Sequence, residues 1–358
     1  MGQGAPPAPV AYVRLFIGES VPGSLINLHS PLGRNPVMVF SLGKNHEFLC
    51  KNLFMKVLLA GATGAIGTPL IGKLLAAGHA VFGMTQSSER AADLNAKGAE
   101  AVVADVLDAA SVRDAVSRIH PEAIINELTS LPKHYTPEEM KAAAPRDTEV
   151  RIKGNANLLA AAGAANCRRY ILQSAGYWYA PGAGPADENR PFAFDASPGI
   201  AAGCRRYADL EATILKEPEI EGIMMRYGFF YGPGTWFTKD GDVGHQVRQR
   251  QFPVIGAGQG IWSWIHIEDA ASATVAALHA APGSYNIVDD QPSEQRVWLP
   301  AFARYAGAPD PPHVSEEDAL KLAGADSVYY ATRLSAASNQ KAKRELNFRP
   351  RPLGWLAV

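Results

Sequence analysis

Cysteine is scarce in this chain, with Cys50, Cys167 and Cys204 the only three in 358 residues. An odd number at wide spacing builds neither a disulfide framework nor a cysteine-ligated zinc site. It suits a reducing compartment, so a cytoplasmic protein without a bound metal is expected. Net charge is also nearly absent. Thirty-four Lys and Arg stand against thirty-five Asp and Glu, a formal charge of −1. That balance offers no basic surface to nucleic acid and little attraction to anionic lipid. No uninterrupted apolar run approaches the ~18–20 residues that cross a bilayer. What remains, at 47% hydrophobic and 19% charged residues, is the composition of an ordinary globular chain. Its length suits one large domain or two modest ones.

Residues 1–54 differ from the rest. Gly2 to Pro9 is a loop-forming run, and no hydrophobic period is sustained afterwards. Glu19 and Glu47 are the only acids, as in organelle transit peptides, but the marked Arg and Ser richness of those peptides is missing. The expectation is an irregular N-terminal extension in front of a domain beginning at Met55.

The informative stretch is Lys56 to Gly78, KVLLAGATGAIGTPLIGKLLAAG. Val57 to Ala60 is a short apolar run bounded by glycine, which reads as a buried strand. Gly61, Gly64 and Gly67 follow at G-x-x-G-x-x-G spacing. Ile66, Leu70, Ile71, Leu74 and Leu75 then recur at helical spacing up to Gly78. Strand, glycine turn and helix together form the context of a dinucleotide fingerprint. Side chains on these glycines would hold the backbone off a pyrophosphate or the helix off the strand. The N–H groups at the helix N-terminus bind the anion. Gly61, Thr63, Gly64, Ala65, Ile66 and Gly67 are therefore expected to bind cofactor.

Strands are next expected at 80–84, 101–105, 123–128, 169–174 and 223–228. Helices are expected at 108–118, 146–165 and 201–216, with a loop at 181–198. This alternation predicts an α/β fold, a doubly wound parallel sheet with ligands beyond the strands' carboxyl ends. At such ends lie Asp105 and Val106, expected at the adenine, and Leu128 and Thr129, expected at the nicotinamide half. The second strand closes on Met84-Thr85-Gln86 with no carboxylate for a ribose 2′-OH. Gln86, Ser87 and Arg90 offer donors to a 2′-phosphate, which favours NADP over NAD. Beyond residue 229 the pattern is less regular. Phe252–Gly256 and Ile261–His266 read as two short strands, Asp269–His279 as a helix and Tyr285–Val288 as another strand. Two or three short helices are expected within 293–347. Trp262 and Trp264 alternate and should share a face.

Gly61-Ala62-Thr63-Gly64-Ala65-Ile66-Gly67, Arg226-Tyr227-Gly228 leading to Tyr231-Gly232-Pro233-Gly234, and Trp264-Ile265-His266-Ile267-Glu268-Asp269-Ala270 resemble the extended short-chain dehydrogenase/reductases. That group includes NAD(P)-dependent sugar epimerases and dehydratases. The resemblance implies a Rossmann domain over 55–358, with a smaller C-terminal substrate lobe built mainly from about 229–358. It also implies a small-molecule substrate, and it allows a homodimer. The family's catalysis rests on a Tyr with Lys four residues on, a Ser or Thr, and often an Asn; the Lys lowers the Tyr pKa for proton exchange. This sequence departs from that pattern. Tyr207 is the only tyrosine in the expected helix and is followed four on by Glu211, a carboxylate that would raise its pKa. Aligned instead on Glu211, the helix puts Tyr207 at the Lys position and Gly203 at the Tyr position. Ser174 ends the right strand, but counting back from Tyr179 puts Ala175 in the serine slot. Arg151 takes the Asn slot. Ser174 and Tyr207 are the catalytic candidates, with Tyr227 or Tyr231 a further contact on the nicotinamide side. His266 is expected to fix the second lobe. The reading is an NAD(P)-dependent oxidoreductase or epimerase on a small carbonyl or hydroxyl compound. A nucleotide-sugar epimerase or dehydratase and a non-catalytic NADP sensor are the alternatives.

Overall fold

The computed structural model describes residues 25–28, 37–40 and 54–356. The chain divides between Leu53 and Phe54. In the first unit, Leu25–Leu28 and Val37–Phe40 pair antiparallel, with Leu25 opposite Phe40. An extension read as irregular thus contains a strand pair, built on short apolar runs of strand-favouring residues. The rest of that expectation lies outside the described residues.

The second unit is organised on one sheet. Its strands are β1 (Lys56–Ala60), β2 (Ala80–Thr85), β3 (Glu100–Val103), β4 (Ala123–Asn126), β5 (Arg169–Ala175) and β6 (Glu221–Tyr227). With a seventh, Gly283–Ile287, they stand in the order 3-2-1-4-5-6-7, and every pairing is parallel. Val57 to Ala60 are fully buried, as a strand covered on both faces requires. Alternate residues serve opposite cores. Val57 and Leu59 pack with Leu70, Ile71 and Leu74 of helix α1 (Gly67–Ala76), whereas Leu58 and Ala60 face Val112 and Val116 of helix α3 (Ala109–Ile119). Between them in sequence is α2 (Ser88–Ala96), whose N-cap is Ser87. Asp108 caps α3, its side chain accepting from Ala110 N–H.

The helix expected to begin at residue 146 begins about two and a half turns earlier, at Pro137. Thr136 caps it and Pro137 occupies its first turn, so α4 spans Pro137–Glu149 with Pro145 inside it. A π-helical turn, Val150–Gly154, joins it to α5 (Asn155–Ala164). Helix α6 covers Pro198–Leu215.

The C-terminal lobe is irregular because its strands are short and do not pair with sequence neighbours. Phe229–Tyr231 runs parallel to Trp264–His266, Ile261–Trp262 is antiparallel to Ser293–Glu294, and Val254–Ile255 is parallel to His313–Val314. The single strand expected over 261–266 breaks at Ser263. Trp262 and Trp264 nevertheless stack at 5.5 Å and share a dry aromatic cluster with Trp298 and Phe237. The remaining helices include Ile267–Ala277, Gln295–Tyr305 and Glu316–Thr332.

Candidate active site

A cavity of about 1210 Å³ opens beyond the carboxyl ends of the sheet strands. One end is the glycine turn. Gly61 has φ +86°, and a Cβ there would sit 2.5 Å from the Glu127 carbonyl oxygen. A Cβ on Gly67 would lie 2.2 Å from Gly61 O. Both are needed to pack the turn on the sheet. Gly64 differs: a Cβ would meet only Gly61 O at 3.2 Å, and the residue is exposed on the cavity wall. Thr63 and Ala65 line the cavity beside it, while Ile66 and Gly67 are buried at the start of α1.

Gln86, Ser87 and Arg90 line the same end, and so does Glu89, a carboxylate the sequence reading left out. Ser87 Oγ accepts from Arg90 N–H at 3.3 Å, so part of its capacity goes to capping α2. Val106, Leu128 and Thr129 line the cavity; Asp105 does not. Asp105 Oδ1 accepts from Gln86 Nε2 at 2.6 Å and from Leu107 N–H at 2.9 Å. The oxygen expected at the adenine amino group thus holds Gln86 in place.

The other end carries the departures from the family pattern. Ser174 is buried and donates its hydroxyl proton to Glu211 Oε1 at 2.6 Å. Glu211 is itself clamped by Arg226, with Nε to Oε1 at 2.9 Å and Nη2 to Oε2 at 2.6 Å. Ser174 therefore presents only lone pairs to the cavity, and the Glu211 charge is neutralised by Arg226 rather than turned on Tyr207. Tyr207 lies between two cations instead. The guanidinium carbons of Arg151 and Arg206 are 5.4 and 5.6 Å from its ring centre. Arg151 is held in the π-helical turn by Asp147, 2.7 Å away; such turns recur at functional sites.

Gly203 is buried one turn before Tyr207, and a Cβ there would lie 2.5 Å from Trp178 Cζ3. The Trp178 indole occupies that room, its Nε1–H donating to Tyr330 Oη at 3.1 Å. Tyr177 stacks on Phe229 at 4.3 Å. Tyr227 borders the cavity, and its hydroxyl is taken up by Glu127, also a lining residue, donating to Oε1 at 2.8 Å and lying 2.6 Å from Thr274 Oγ1. Tyr231 packs on His266 and Trp355 outside the cavity lining. His266 caps the Ile267–Ala277 helix, accepting from Glu268 N–H.

Sequence reasoning missed Arg206, because a lone arginine in an amphipathic helix carries no motif. It also missed Glu127, whose signal was a carboxylate directly following the apolar strand β4. Glu127 is 3% exposed, and its Oε2 has no partner among the described residues. Burial pushes its carboxyl up to about 8, against the lowering effects of the Tyr227 hydrogen bond and the Arg151 charge. The folded value lies above the unfolded one. Protonation therefore stabilises the fold fully below the unfolded value of 4.5, and that stability is lost as pH rises through about 8. Across this window the loss is ~1.4 kcal/mol per pH unit. Glu127→Gln should flatten the dependence, raising Tm near pH 8 and changing it little near pH 4.5. Thermal melts of both proteins across the range check it; parallel curves would mean that Glu127 stays charged.

Comparison with known proteins bears on the family and the fold. The model of the NAD dependent epimerase/dehydratase family matches residues 57–288. A 3-diazoavenalumate denitrifying reductase from a Streptomyces species is 36% identical over 304 residues, covering 84% of this chain and 98% of that protein. A UDP-glucose 4-epimerase of Mycolicibacterium smegmatis is 28% identical over 276 residues, 72% of this chain and 85% of that one. Among solved structures, the Thermus thermophilus UDP-glucose 4-epimerase in complex with NAD shares the fold, with a TM-score of 0.65 at 22% identity over 84% of this chain and 96% of that one. These relatives are named as reductases and epimerases, and the sensor alternative gains no support from them. With the parallel sheet, the glycine turn and the matched stretch in hand, the chain belongs to the NAD dependent epimerase/dehydratase family and is an NAD(P)-dependent enzyme of the oxidoreductase and epimerase kind.

Proposed function

We propose that this enzyme is an NADPH-dependent reductase whose hydride acceptor needs no proton from the protein. Gly203 carries the reading. With the helix aligned on Glu211, the family's proton-exchanging phenol falls at Gly203, which has no side chain, and Trp178 fills the room. Ala175 stands in the serine slot, and the Ser174 proton is committed to Glu211. Tyr207 and its two arginines are left to shape and polarise the pocket.

A cofactor would lie along Gly61, Thr63, Gly64 and Ala65, with Gln86, Ser87 and Arg90 at its ribose phosphate and Leu128 and Thr129 beside the nicotinamide half. Bound there, it supplies hydride. An electron-poor cationic centre accepts hydride without an acid, and a diazonium carbon is the clearest case. A C–H bond forms there as the C–N bond breaks, and its electron pair leaves with N2. The relative named as a denitrifying reductase of a diazo compound, matched over nearly its whole length, supports this class. NADPH consumption with an arenediazonium carboxylate tests it. One equivalent consumed and one N2 released per product is the expected result. Efficient turnover of ketones and aldehydes with none of the diazonium would refute it.

Cofactor choice rests on the end of β2. Arg90 is exposed there, with no ion pair among the described residues. Arg90→Ala should weaken NADPH binding by about 1.5–3 kcal/mol, the range for hydrogen bonds to charged groups. NADH affinity should hardly move. Titration of both cofactors against both proteins decides it, and a wild type that prefers NADH overturns the assignment; Glu89, on the same wall, is the residue that would then be placed to take the 2′-OH.

A further inference from the structure

The catalytic end of the cavity contains an arginine with no counter-ion. Arg151 pairs with Asp147 at 2.7 Å, Arg146 with Glu149 at 2.8 Å, and Arg226 with Glu211 at 2.6 Å. Arg206, on the same wall, has no carboxylate within 4.0 Å among the described residues. Its Nη1 donates to Thr148 Oγ1 at 3.0 Å, and its Nε is fully enclosed without any partner. A buried, unpartnered guanidinium N–H is costly in the free protein. The guanidinium charge has no carboxylate of its own and faces the cavity, so it favours an anionic oxygen there, and a planar fork suits a carboxylate better than any other side chain does.

The surroundings define the rest of the ligand. Arg206 sits next to Tyr207 and shares the cavity wall with Tyr177, Trp178, Trp236 and Tyr330. Tyr177 lies 5.1 Å from Trp178 and 4.3 Å from Phe229, so the lining beside Arg206 offers aromatic faces, with Gln173, Ser174 and Thr235 among its polar groups. We infer that Arg206 is the anchor for the carboxylate of a flat aromatic acid, and that aromatic acids are the substrate class of this site. The inference rests on the reductase reading above and narrows it, since the electrophilic carbon would then be carried on an aromatic acid.

The test is calorimetric binding of cinnamate and of its neutral amide to the NADP⁺-loaded protein, for wild type, Arg206→Gln and Arg206→Lys. NADP⁺ affinity is measured first on all three. Its absence in wild type would defeat the cofactor reading itself, and equal values in the variants show that the fold is intact. Wild type should prefer the acid to the amide by at least about tenfold, the scale of a charge-assisted hydrogen bond. Arg206→Gln should erase the preference without changing amide affinity, and Arg206→Lys should restore part of it. Loaded wild type that binds both equally or binds neither, or a preference that survives in Arg206→Gln, overturns the anchor while leaving the reductase reading standing.

Discussion

Gly64→Val is expected to abolish nicotinamide cofactor binding while leaving the protein folded. The middle glycine of the turn is the one whose added Cβ meets little of the protein, a single oxygen at 3.2 Å, and whose side chain would enter the cavity. The fold can accommodate it, but a pyrophosphate approaching the N-terminus of α1 cannot. The neighbouring glycines give the contrast. Gly67→Val would drive its Cβ to 2.2 Å from Gly61 O, so it should unfold or displace α1. Circular dichroism and NADPH titration on the two variants separate the effects. A Gly64→Val protein with wild-type affinity would remove the basis for placing cofactor at this turn.

Glu211→Ala should produce the largest loss of stability, about 3–5 kcal/mol, the cost of leaving one member of a buried ion pair alone. Arg226 and Glu211 are 9% and 7% exposed as side chains and share two hydrogen bonds. Removing the carboxylate strands the guanidinium on β6 and also deprives Ser174 of its acceptor. Replacing both partners, as in Glu211→Leu with Arg226→Met, should recover most of the loss, because no uncompensated charge remains. Denaturant unfolding of wild type, the single variant and the double variant tests this. A single variant within about 0.5 kcal/mol of wild type, the usual range of surface substitutions, would mean that the pair is not closed in solution.

The same pair shows where sequence reading stops. Glu211 lies four residues after Tyr207 in a helix, and spacing alone makes it a neighbour that raises the phenol pKa. The charge that cancels it comes from Arg226, fifteen residues on and in a sheet strand, a contact no helical period encodes. The glycine turn was legible because its chemistry is local: positive φ at Gly61, close approach at Gly67 and exposure to the cavity at Gly64 all arise within one turn. The parallel sheet followed from the alternation of strands with helices, whereas the order of its strands did not. Pro145 hid the first turns of α4, because a proline inside a helix reads as a boundary, whereas Thr136 and Pro137 mark the real start. The broken strand at Ser263 and the pairing partners of 254–255 and 261–262 were not legible, since two-residue strands have no period and their partners are distant in sequence. Arg206 became visible only once its neighbours were known: its distinction is the carboxylate it lacks, while Arg146 and Arg151 on the same wall each have one.

The most direct test of hydride delivery in a site without the tyrosine–lysine pair uses NADPH deuterated at the transferable C4 position, incubated with the wild-type enzyme and an arenediazonium carboxylate in ordinary water. Deuterium at the carbon that lost N2, at one atom per molecule and unaffected by Tyr207→Phe, is the predicted result. Product carrying only solvent hydrogen, or tight NADPH binding with no deuterium transferred, would contradict it.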